Sequence, residues 1–138
     1  MRSLLSAWSQ RSGDVVVVLA AAVLMIVSGV VHLHLWDIAY RHVATLGPLF
    51  LVQTVAALVG AVVLAVSRMV FVIVGSILLM AGTMVGFILA ATVGIFGFTL
   101  PEVTGWAYLA LGVELVSSIL LVTALVRHAR SLGVPASL

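Results

Sequence analysis

Residues 15–35 read VVVVLAAAVLMIVSGVVHLHL, an apolar run without one acidic residue or arginine. A bilayer core about 30 Å thick is crossed by about 20 helical residues rising about 1.5 Å each, and this run has that length. Three similar runs follow at 48–66, 69–96 and 104–126, so most of the 138 residues belong to membrane-crossing segments. The segments are apolar all round, not along one stripe, which argues against a water-soluble bundle. No polar stretch between them is long enough for a second domain. The expected fold is an all-α, four-helix transmembrane bundle, a single integral membrane domain over 1–138.

Composition narrows the function classes. Hydrophobic residues make up 64% of the chain and charged residues 7%, against about 25% charged in an ordinary soluble domain. The net charge of +2, with no basic cluster, gives no footprint for nucleic acid. With no cysteine, thiolate nucleophiles, disulfides and thiolate-bound metals are excluded. The chain has no nucleophile elbow, no His-Glu-x-x-His, no phosphate-binding glycine loop and no paired carboxylates. A non-enzymatic protein is expected, with no cofactor. Haem ligation by two histidines would need a partner ligand that the second, third and fourth runs do not supply.

The basic residues set an orientation. All six are arginine, a codon-level hint of a GC-rich bacterial genome, which points to a bacterial cytoplasmic membrane. Arg2 and Arg11 precede the first run, Arg68 separates the second from the third, and Arg127 and Arg130 follow the fourth. With four spans these five share one side, and Arg41 stands on the other. The positive-inside rule then makes both termini cytoplasmic. The first run is too long for a signal-peptide core and lacks a small-x-small cleavage site. Ahead of it, Leu4, Leu5 and Trp8 fall on one face of a short interfacial helix or belong to a disordered tail.

Local signals place the helix ends. Ser12 or Asp14 is positioned to cap the first helix. Pro48 sits early in the second, where its missing N–H costs nothing. Ser67-Arg68 leaves almost no connection, so the second and third helices should form an antiparallel hairpin. The third helix, over 69–96, looks too long for the bilayer and is expected to tilt or project. Thr45-Leu46-Gly47 with Phe50-Leu51 echoes Val103-Thr104-Gly105 with Tyr108-Leu109, a hint of two related hairpins.

Glu114 lies about nine residues, roughly 13 Å, into the fourth helix and hence near the bilayer centre. An ionised carboxylate there costs at least about 2.5–3.5 kcal/mol. It should face protein, bind a cation or carry a proton. The alternatives are a proton or cation site and a structural carboxyl bonded to Thr83, Ser28 or Gln53. The run from Val31 to His42 holds three of the four histidines with Asp37 and Arg41. His32, His34 and His42 invite a metal reading, but on a helix His32 and His34 point about 200° apart. If the helix persists, His34, Asp37 and Arg41 form one stripe and His32, Trp36 and Tyr40 another, the second matching an interfacial aromatic belt. Gln53, at a depth near His32, could line an outward-facing polar pocket with His32 and Glu102 or make a simple interhelical bond. Gly82-x-x-x-Gly86, between Gly75 and Ala90, presents a small-residue face for close helix approach.

The order His32-Leu33-His34-Leu35, Phe50-Leu51-Val52-Gln53, Gly94-Ile95-Phe96-Gly97 with Glu102, then Glu114, resembles small four-helix bacterial membrane proteins, common in actinobacteria, of unassigned function. The resemblance covers about residues 15–126 and implies no activity; it singles out His32, Gln53 and Glu114.

The leading functional expectation is an accessory or ligand-binding component of a membrane assembly. Its partners would be membrane lipid and other copies or another membrane protein. The alternatives are a small proton- or cation-coupled transporter using Glu114, and a metal-handling protein using the histidine cluster.

Overall fold

A computed structural model describes residues 2–133, with side chains from Asp14 onward. It contains four long helices: α1 (Arg2–Leu35), α2 (Leu46–Ser67), α3 (Val70–Thr92) and α4 (Gly105–Ser131). A π-helical turn, Trp36–Tyr40, extends α1. Each helix includes a segment long and apolar enough to cross a membrane. The protein is therefore an all-α chain with four candidate membrane spans. Valine, leucine and isoleucine side chains cover its outer surface, Val52, Val55, Val59, Val62 and Val66 along α2 among them. Such a surface suits lipid and not water.

Asp14 on α1, the end of α4 and the α2–α3 turn lie at one end of the bundle, and the 36–45 and 93–104 connections at the other. Arg127 Nη1 reaches Asp14 Oδ1 at 3.4 Å at the first end, and Tyr40 meets Phe98 edge-on at the second. Asp14 is thus an ion-pair partner and not a cap, because α1 runs unbroken through residues 12–14. The side chains of Leu4, Leu5 and Trp8 lie outside the described residues.

Backbone chemistry fixes the connections. Arg68, left-handed at φ 49°, donates its N–H to Leu64 O and stops α2. Met69 is extended, and α3 begins at once. Pro48 falls in the first turn of α2. Thr45 and Thr104 occupy the N-cap positions of α2 and α4, and only Thr104 makes the cap bond, from Ala107 N. The helix expected over 69–96 ends instead at Thr92. Gly94 takes φ +84°, and residues 95–98 form a tight turn with Ile95 N–H to Phe98 O and Phe98 N–H to Ile95 O, both 2.8 Å. Phe96 and Gly97 both have positive φ, as the favoured hairpin turn requires. What looked like an over-long span is a span plus a turn.

Helix α1 packs most extensively, along both α2 and α4, while α3 rests mainly on α4. The main core lies in the half nearer the termini, built from Ala21, Met25, Ala61, Leu64, Ile73, Met80 and Leu121. Here α2 and α3 meet, at Leu64 and Ile73. Within the chain the close helix approach occurs at Gly29, not at Gly82 and Gly86. A Cβ on Gly29 would lie 3.2 Å from Leu58 Cγ and 3.3 Å from Thr54 O, whereas one on Gly82 or Gly86 would meet nothing within 4 Å. Gly47 is tighter still, at 2.8 Å from Tyr40 O.

This contrast predicts the cost of adding side chains. Gly47→Val and Gly29→Leu should lower stability by about 1–3 kcal/mol through overpacking. Gly82→Ala should be neutral or gain about 0.5–1 kcal/mol from helix propensity. Thermal unfolding in detergent checks this, and equal losses at all three positions would contradict the packing described.

Candidate functional site

The polar centre of the bundle forms where α1, α2 and α4 face one another. Ser28, His32 and Glu114 are buried, with 0%, 8% and 2% of their surfaces exposed. Ser28 Oγ donates to Glu114 Oε1 at 3.0 Å. His32 Nδ1 stands 2.9 Å from Ser28 O, one turn earlier on α1. A carbonyl only accepts, so this geometry assigns the ring hydrogen to Nδ1. His32 Nε2 then faces Glu114 Oε1 at 3.6 Å. A bare Nε2 lone pair opposite a bare carboxylate oxygen would repel, so the pair is favourable with a proton on one of the two.

Two further polar groups approach the same region. Gln53 on α2 is 6% exposed, and its Nε2 has no hydrogen-bond partner among the described residues. The simple interhelical bond expected of this amide is therefore not made by Nε2. Thr83 on α3 donates to its own helix, at 2.8 Å from Met80 O, and its hydroxyl also stands beside the Glu114 carboxyl.

His32, Gln53, Thr83 and Glu114 all line one cavity of about 390 Å³, within the range of about 300–1,000 Å³ usual for small-molecule pockets. Its remaining walls are apolar. Leu49, Phe50 and Val52 come from α2, Leu78, Gly82, Gly86 and Phe87 from α3, and Tyr40, Ile95 and Phe98 from the connections. Leu49, Val52, Leu78 and Gly82 are exposed on the outer surface, so the cavity opens sideways between α2 and α3. The glycine face of α3 borders this space and packs against no other helix of the chain.

An aromatic cluster closes the connection end. Tyr40 stacks on Phe50 with centroids 4.3 Å apart, and His32 lies 5.2 Å from the same ring. Arg41 N–H bonds Trp36 O at 2.8 Å, the i to i+5 pattern that defines the π turn. His32 and Tyr40 thus point into the bundle, and the expected lipid-facing stripe of His32, Trp36 and Tyr40 is not formed.

The other sequence candidates lie apart from this centre. His34 packs against Trp106 at 4.5 Å on a different face from His32. Asp37 and Arg41 pair at 3.5 Å, both exposed, and Arg41 Nε donates to His42 at 3.0 Å. Glu102 is exposed and does not line the cavity. His32, His34 and His42 are not brought together, and among the described residues no three His, Asp or Glu side chains converge as a metal-binding group. The structure unites His32, Gln53 and Glu114 and places Ser28 and Thr83, two of the partners expected for Glu114, beside its carboxyl. It adds Phe98 and brings Tyr40 to it, a meeting that depends on the π turn, which has no sequence signature, and on the 95–98 turn, which Gly94 and Gly97 mark.

No family model, curated protein or solved structure matches this chain. The site must be read from its own chemistry.

The Ser28–Glu114 bond should appear as an energetic coupling. A double-mutant cycle with Ser28→Ala and Glu114→Leu, read by unfolding in detergent or bicelles, is expected to give about 0.6–1.7 kcal/mol. A coupling near zero would show that the two side chains do not interact.

Proposed function

We propose that this is a non-enzymatic protein of the bacterial plasma membrane, with both termini cytoplasmic, that holds a small ligand within the bilayer as part of a larger membrane assembly. One observation carries the reading. The cavity between α2 and α3 has His32, Glu114, Gln53 and Thr83 gathered on a mostly apolar wall. A mostly apolar concavity with a few convergent polar groups is the usual form of a small-molecule site. Five arginines at the terminal end against Arg41 at the other support the orientation. Small extramembrane mass favours action through partners, as further copies of this chain or other membrane proteins.

Filling the cavity tests this. Gly86→Phe has open space for its first carbon and would occupy the site without touching Glu114 chemically. Organic extracts of purified wild-type protein, analysed by mass spectrometry, should contain a compound enriched over bulk lipid. In Gly86→Phe that enrichment should disappear. Identical extracts from the two proteins would count against a ligand site here.

A second reading, proton- or cation-coupled transport, draws on the His32–Glu114 contact at 3.6 Å. That pair can hold or release a proton. It predicts that vesicles containing the protein show a proton flux lost in Glu114→Gln. Flux equal to that of wild type, or no flux in either, would end this reading.

A further inference from the structure

Three features of the cavity bear on the chemistry of its occupant, an inference that rests on the ligand-binding reading above. The first is charge. No arginine lines the cavity, so nothing there compensates an anionic head. Glu114 Oε1 already accepts from Ser28 and faces His32. With the one proton that makes the His32–Glu114 contact favourable, the pair carries no net charge to attract a cation. A charged head is therefore disfavoured with either sign.

The second is an unfilled hydrogen bond. Gln53 is more than nine-tenths buried, lines the cavity, and has an amide nitrogen without a partner among the described residues. The nitrogen itself is closed off from the cavity, and a half-turn of the amide exchanges it with the oxygen. A ligand hydroxyl serves whichever end borders the cavity, since it both accepts and donates.

The third is the shape of the route. From Gln53 the cavity passes between exposed Leu49 and Val52 on one side and exposed Leu78 and Gly82 on the other. Side chains at Gly82 and Gly86 would narrow it, and neither glycine is needed for helix packing. The opening faces hydrocarbon, so the part of the ligand lying in it is apolar.

From these together we infer that the cavity binds an uncharged, single-chain amphiphile that enters laterally from the bilayer and places a hydroxyl against Gln53. Recognition resides in the hydroxyl–amide bond, with the chain supplying apolar contact between α2 and α3.

Photo-crosslinking of the full chain in lipid nanodiscs tests this with two probes. One is hexadecanol carrying a mid-chain diazirine, and the other is hexadecyltrimethylammonium carrying the same group. The hexadecanol probe should label cleft residues such as Leu49, Leu78 and Phe87. Its labelling should fall at least about fivefold in Gln53→Leu, the effect of losing one buried hydrogen bond. It should also fall in Gly86→Phe and persist in Val85→Phe, on the lipid face of the same helix. In wild-type protein, unlabelled hexadecanol should compete with the probe while hexadecane competes far less, a comparison that needs no variant to fold. Equal competition by hexadecane, or full labelling of Gln53→Leu, would mean that chains merely fill the cleft and would overturn the proposal. Preference for the ammonium probe would overturn the uncharged class yet leave a ligand site standing. Cleft labelling by neither probe would remove both.

Discussion

Hydrocarbon supplies no hydrogen bonds, so a polar atom within a span must find its partner inside the bundle. Among the described residues most of the interhelical partners involve α1. Thr54 on α2 shares its hydroxyl proton between Phe50 O on its own helix and Gly29 O, Ser117 on α4 donates to Ala21 O, and Ser28 on α1 to Glu114 on α4. These bonds require backbones to come close, and α1 permits it with Ala21, Ala22, Ser28 and Gly29 on its inner faces. Helix α3 contributes one polar contact of this kind, the Thr83 hydroxyl beside the Glu114 carboxyl on α4. Ser76 is buried, and Thr83 also donates to its own helix. Three helices are thus drawn together by several polar links, while the fourth is held mainly by apolar packing on α4 and by its short turn to α2.

The cavity follows from that asymmetry. Helices α2 and α3 are tied at Arg68 and meet at Leu64 and Ile73, but nothing draws them together towards the connections. The magnitude matters. At about 24 cal/mol per Å³, a sealed void of this volume would cost about 9 kcal/mol, comparable to the whole net stability of a typical domain at about 5–15 kcal/mol. A site of 390 Å³ is tolerable only because it opens to the bilayer, where apolar chains can restore the missing contacts. The apolar lining and the lateral opening therefore belong together.

The spans were legible in the sequence because bilayer thickness imposes a length and hydropathy that few other constraints imitate. The tight α2–α3 connection was legible for a related reason: Ser67-Arg68 leaves no chain for a loop. His32, Gln53 and Glu114 stood out because polar residues within apolar runs are costly and need partners. Their convergence depended on helix rotation, which apolar sequence specifies poorly when every face is hydrophobic. For the same reason the glycines of α3 read as a packing face, although α1 holds the close approach at Gly29. Residues 93–96 were counted into the span because the 95–98 turn is as apolar as the helix before it; Gly94, Gly97 and Pro101 marked where the helix ends, and the positive φ of Gly94, Phe96 and Gly97 shows the turn they make.

Charge accounting at the polar centre bears on the choice between holding a ligand and moving protons. With one proton, His32 and Glu114 are neutral as a pair. With none the site is anionic, and with two it is cationic. Leaving the neutral state places a net charge in the middle of the spans, at a cost of at least about 2.5–3.5 kcal/mol unless water or a counter-ion compensates. The cavity's walls are mostly apolar, and its opening faces the lipid surface of α2 and α3. Hydrocarbon at that opening offers a titrating pair no solvation. The same neutrality suits an uncharged guest, whose head needs only a hydrogen bond and whose chain needs only the groove. A wall that keeps its proton and leaves one amide unpartnered is better matched to holding a lipid-like molecule than to cycling charge.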